Sequence, residues 1–102
     1  MEITEVRVFP VEEEKLKAFA SIVIDDAFLI SDIKIIDGKQ GRFLSMPSTK
    51  RRYGTFRDIA HPLNHETRRM IEQRIFARYD EVLAAGGAAD EDGDPVMRVA
   101  RG

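Results

Sequence analysis

The feature that most constrains this chain is a change of hydrophobic period near Asn64. From Asn64 to Ala85 the apolar residues Ile71, Ile75, Tyr79, Val82 and Leu83 recur at helical spacing, with Met70 and Phe76 on the flanks. Before Asn64 the apolar residues alternate in short runs broken by turn residues, the pattern of half-buried strands. One helix with one apolar stripe can bury it only against a sheet face. The predicted fold class is therefore α+β, an antiparallel β-meander sheet packed by one C-terminal α-helix.

The opening run Ile3–Phe9 alternates imperfectly and stops at Pro10, as an outer strand does. From Lys17 to Asp25, Ala18, Ala20, Ile22 and Ile24 fall on one strand face, with Phe19, Ser21 and Val23 on the other. A helix from Glu12 to Ala20 competes, because Glu-Glu-Glu-Lys-Leu-Lys-Ala favours helix. The β-branched run Ile22-Val23-Ile24 decides for strand. Asp25-Asp26 is expected to turn into a strand over Phe28–Ile36, with Leu29, Ile33 and Ile35 on one face. Asp37-Gly38 is the expected next turn, leading to a short strand Arg42–Met46 closed by Pro47. Residues 48–61 read as loop. Asn64 is the predicted N-cap, Glu66 opposes the helix dipole, and Gly86-Gly87 supplies the C-cap. The organisation expected is a domain over residues 1–86 and a disordered acidic tail over 87–102. Apolar residues on the uncovered sheet face, Phe19 and Phe43 among them, call for a partner and predict a homodimer.

At 102 residues the chain fits one domain, and 43% hydrophobic with 33% charged residues is ordinary for a globular protein. No apolar run approaches the roughly 20 residues of a membrane span. The start Met1-Glu2-Ile3-Thr4-Glu5 has no basic and apolar leader pattern. With no cysteine there are neither disulfides nor thiolate chemistry, and a cytoplasmic location is expected. His61 and His65 do not read as a zinc pair, because Pro62 and the Asn64 cap leave His61 outside the helix. No catalytic triad, P-loop or dinucleotide motif is present. The expectation is a binding protein, not an enzyme, with no cofactor, no metal and no small-molecule substrate.

Charge is unevenly spread. Residues 1–38 carry four basic and nine acidic side chains (net −5), residues 39–78 ten and three (net +7), and residues 79–102 two and six (net −4). From Lys39 to Arg57 there are six basic residues and no acidic one. Within that stretch Lys50, Arg51, Arg52 and Arg57 offer phosphate donors, Tyr53 a face for a base to stack on, and Gly54 a bend. Arg68, Arg69 and Arg74 on the helix are candidates to extend the patch. Arg74 and Arg78 lie four apart, a spacing at which two like charges repel and ask for an external anion or a partner's carboxylate. The predicted partner is nucleic acid, DNA with RNA as a further ligand. The alternative is a protein-interaction module whose basic surface docks an acidic partner, with the chain's own Asp90-Glu91-Asp92 as a competitor for the patch.

The strings Met46-Pro47-Ser48, Gly54 and Phe56-Arg57-Asp58-Ile59-Ala60-His61-Pro62-Leu63-Asn64 resemble the SpoVG family of bacterial septation and sporulation regulators. Ile35-Ile36-Asp37-Gly38, Glu2–Val8 and Thr67-Arg68 are similar to it too, so the likeness runs over about residues 1–83. The resemblance implies a small dimer of antiparallel sheet and C-terminal helix, with strands exchanged or paired between chains. It also implies DNA and RNA binding through a basic region, which corresponds here to the loop after Ser48 with Arg57, and a role in septation and gene expression. The family loop is commonly of the Lys-Arg-Thr-Pro-Asp-Gly type. This chain has Thr49-Lys50-Arg51-Arg52-Tyr53-Gly54, which keeps the charge and lacks the Pro-Asp turn.

Overall fold

The computed structural model describes residues 1–90. In chain order these form β1 (Ile3–Pro10), β2 (Leu16–Ile24), β3 (Phe28–Gly38), β4 (Gly41–Ser45), β5 (Ser48–Lys50), β6 (Phe56–Asp58) and α1 (His65–Ala84). The first four strands make one antiparallel sheet in sequence order, and β5 and β6 make a separate two-stranded sheet. The α+β meander with one C-terminal helix is the fold expected. Residues 91–102 of the predicted tail lie outside the described residues.

The Glu12–Glu14 stretch is a loop and β2 is a strand, as its β-branched run requires. Asp25 and Asp26 both sit at φ 52°, and the Ala27 amide donates to the Ile24 carbonyl at 2.9 Å. That is a type I′ turn, whose twist matches the flanking strands. Asp25 reinforces it, accepting from the Glu2 amide at 2.9 Å through its side chain.

Two expectations for β3 need correction. The strand runs through Asp37 and Gly38, with Gly38 paired to Gly41, so the two-residue turn is Lys39-Gln40. Leu29 does not share a face with Ile33 and Ile35. Across from β2, Ala20 pairs with Ile33 but Ile22 pairs with Ile30, so Ser31 and Asp32 together oppose Ser21. This is a β-bulge, and Asp32 carries it at φ 61°. One extra residue inverts the period-two alternation, sending Ile30 inward and Leu29 outward beside Val23.

The core lies between the sheet's inner face and α1. Val8, Ala20 and Ile33 stand in register across β1, β2 and β3, Ala18, Ile35 and Leu44 across β2, β3 and β4, and Ile71, Ile75 and Val82 enter from the helix. Leu83, expected in the helix stripe, is 47% exposed. Val82 takes the inward position seven residues after Ile75, and Leu83 is turned a further 100° or so round the helix. Asn64 caps α1 by accepting from the Thr67 amide at 2.7 Å. At the other end the Gly86 amide donates to Leu83 and the Gly87 amide to Val82, a Schellman motif whose C′ residue, Gly86, is at φ 107°. Arginines tie α1 to both edge strands. Arg68 donates to the Leu44 carbonyl at 3.1 Å, and Arg74 to the Ile3 carbonyl at 2.7 Å. From β4, Arg42 grips Asp80 through two hydrogen bonds of 2.8 and 3.0 Å and lies 4.5 Å over the Phe76 ring.

The outer face is apolar along its centre. Phe9 pairs with Phe19, Val23 with Leu29, and Ile36 with Phe43. These side chains are half-buried except Phe43, which is exposed.

Candidate nucleic-acid interface

Residues 48–58, expected to be loop, fold into a hairpin. Register runs Ser48 to Asp58, Thr49 to Arg57 and Lys50 to Phe56. The Gly54 amide closes a turn onto the Arg51 carbonyl at 3.0 Å, and the Arg51 amide donates to Thr55 at 2.6 Å. Gly54 sits at φ 85°, the left-handed conformation that lets a hairpin close without the Pro-Asp turn. The base of the arm is pinned where the Ile59 amide meets the Pro47 carbonyl at 2.7 Å. Sequence alone did not show this hairpin because three-residue strands are too short to display a period.

The hairpin gathers five of the predicted residues. Arg51, Arg52 and Tyr53 form its tip, with Tyr53 88% exposed. Lys50 lies on one face and Arg57, opposite Thr49, on the other. The side chains of Lys50, Arg51, Arg52 and Arg57 are exposed and form no ion pair among the described residues. Exposed guanidinium and ammonium groups on such an arm are placed to take anionic oxygens.

The helical candidates differ. Arg68 and Arg74 each spend a guanidinium N–H on an edge-strand carbonyl, so both serve the packing of α1. Arg69 is exposed beside an open cleft bordered by Met1, Asn64 and Gln73. The repulsion between Arg74 and Arg78 is relieved from within the chain, for Arg78 is bound by the Asp90 carboxylate and lies 3.6 Å from Glu81. The hydrogen bond from Arg78 holds the Asp90 carboxyl below its ordinary range, and that from Arg42 does the same for Asp80. Asp90, the one acidic residue in the described part of the predicted tail, thus sits on the helix and β1.

One residue was missed as a site candidate. Phe56 is 72% exposed and cross-strand from Lys50, placing an aromatic ring and a cation side by side on one face of the arm. The signal was present in the near-symmetry of Lys50 and Phe56 about the tip, visible once Gly54 is read as a hairpin residue. Ile59 and Leu63, between the arm and α1 in sequence, are exposed as well. His61 Nδ1 lies 3.1 Å from the Pro62 carbonyl oxygen, a local contact. Among the described residues no group of three or more His, Cys, Asp or Glu is placed to hold a metal, and no helix is long and apolar enough to cross a membrane.

Sheet, covering helix and exposed basic arm define a class, a small α+β domain whose most cationic element stands apart from its core. The SpoVG family model matches residues 1–81. A relative from Anaeromyxobacter sp. (strain K) is 58% identical over 89 residues, 87% of this chain and 88% of the relative. One from Bdellovibrio bacteriovorus is 55% identical over 85% of this chain and 81% of its own. One from Caldicellulosiruptor bescii is 44% identical over 84% of this chain and 99% of its own. Each bears the name "Putative septation protein SpoVG". The chain belongs to the SpoVG family.

Proposed function

We propose that this protein is a dimeric nucleic-acid-binding regulator acting in the bacterial cytoplasm on septation and gene expression, and that it binds rather than catalyses. The observation that carries this reading is the β5–β6 arm, with four cations that form no ion pair among the described residues and two exposed aromatic rings on eight residues, Lys50 to Arg57. Lys50, Arg51, Arg52 and Arg57 take phosphate oxygens, while Tyr53 and Phe56 stack on bases. Arg69 extends the surface, and Arg68 and Arg74 contribute the N–H groups their carbonyl contacts leave over. Dimerisation through the apolar outer face would present two arms on one rigid body, raising affinity without new contacts. The septation role rests on the names of the relatives.

The test is fluorescence anisotropy with labelled single- and double-stranded DNA and with RNA across a salt series, beside a Lys50→Ala/Arg51→Ala/Arg52→Ala variant of verified fold and mass. Each lost phosphate contact removes about 0.9 from the log–log salt slope on duplex and about 0.7 on single strands. The slope should therefore flatten by roughly 2 to 3 for each arm engaged. Absence of binding at low salt would overturn the reading and favour an acidic protein as the partner of the arm. Sedimentation of the unlabelled protein checks the dimer.

A further inference from the structure

The strand β1 forms one edge of the sheet, and the outward polar groups of an edge strand invite pairing with another segment. In this chain the edge at Val8 is already taken. Beyond the Schellman turn the backbone returns to β1, where the Asp90 amide donates to the Val8 carbonyl at 2.9 Å. The Val8 amide in turn donates to Asp90 Oδ2 at 2.8 Å. The same carboxylate accepts from Arg78 Nε at 3.0 Å and from Arg78 Nη2. Only 14% of the Asp90 side chain remains exposed, so a tail residue is held like a bound ligand.

We infer that the outer edge of β1 together with Arg78 is a docking site for an extended acidic peptide segment, kept shut in this chain by its own Asp90. The bonding pattern selects the class of ligand. An occupant must give an N–H to the Val8 carbonyl while offering oxygens to the Val8 amide and to Arg78. A phosphodiester has acceptors only and leaves the carbonyl unmet, whereas an aspartate in an extended chain supplies all three. This is strand addition in its shortest form, with one main-chain bond and one carboxylate that both completes the edge pairing and selects the ligand. The resident segment is tethered only a few residues from the end of α1, at an effective concentration on the order of millimolar, which excludes weak competitors. The site is separate from the basic arm and does not depend on nucleic-acid binding.

The test uses the full chain, ¹⁵N-labelled, as wild type, Asp90→Ala and Asp90→Asn, the last retaining the side-chain shape. The probe is a synthetic peptide with the sequence of residues 86–94, and the readouts are the Val8 amide and Arg78 Nε–H resonances. Asp90→Ala should bind the peptide at least about tenfold more tightly than wild type, with Asp90→Asn between them. A peptide carrying Ala in place of its first Asp should not bind, and Arg78→Ala/Asp90→Ala should lose the response. Equal response in wild type and both variants would overturn the inference, as would equal binding of the Ala peptide. Equal shifts from inorganic phosphate or a short oligonucleotide would also overturn it, in favour of a phosphate site.

Discussion

Asp32 offers a sharp test of how this sheet is built. It stands at φ 61° in the β3 bulge, is exposed, and its side chain makes no hydrogen bond or ion pair among the described residues. Replacing it therefore removes no contact, and the change in stability reports the backbone alone. The left-handed conformation costs an L-residue roughly 1–2 kcal/mol, least for Asp and Asn and most for β-branched side chains. Asp32→Val should thus destabilise by about 1 kcal/mol, or about 4–8 °C in Tm for a domain near this size. Asp32→Gly removes the strain but adds about 0.5–1 kcal/mol of unfolded-state entropy, so it should fall within about 0.5 kcal/mol of wild type. Ser31→Val is the control, since Ser31 is exposed in the same bulge without a positive φ, and valine suits a strand there. Urea denaturation with unchanged m-values, supported by thermal melts, measures all three. Equal effects of Asp32→Val and Ser31→Val, or a glycine variant weaker than the valine one, would refute the bulge and with it the assignment of Leu29 to the outer face.

Ile75 is fully buried at the centre of the helix–sheet contact, so Ile75→Ala should cost about 2–5 kcal/mol in urea denaturation. Asn64→Ala leaves the Thr67 amide without its side-chain acceptor and should cost about 1 kcal/mol by the same measurement. The clasp at Asp90 should be pH-dependent in one direction. Its carboxyl is held below the ordinary value by Arg78, so its stabilisation is fully present above the unfolded pKa of about 3.9. It is lost only as pH falls further, through the lower folded pKa. Glu81 and Glu5 also pair with Arg78 and Arg7, so Asp90→Asn is the reference for an NMR pH titration of the Val8 amide. A midpoint at or above the ordinary carboxylate value would contradict the contact.

Much of the fold was legible in local order. Period two before Asn64 and period 3.6 after it specify strands and helix, because side-chain direction is a property of the backbone conformation. The N-cap, the terminal glycines and the break at Pro10 follow from single residues. The basic stretch was equally visible, since charge is additive along a chain. Tertiary structure decided what depends on residues far apart. The bulge at Asp32 reversed the faces of β3, and only pairing with β2 could show it. The arm's exposure depends on its standing outside the four-stranded sheet, which raises Phe56 from a motif residue to a candidate contact. The helical arginines looked alike in sequence, yet Arg68 and Arg74 anchor α1 to the sheet while Arg69 is exposed. Asp90 and Val8 are 82 positions apart, and no local pattern could have joined them. Hydrogen-bond partners at such separations are chosen by how the layers pack, and that information resides in the whole chain at once.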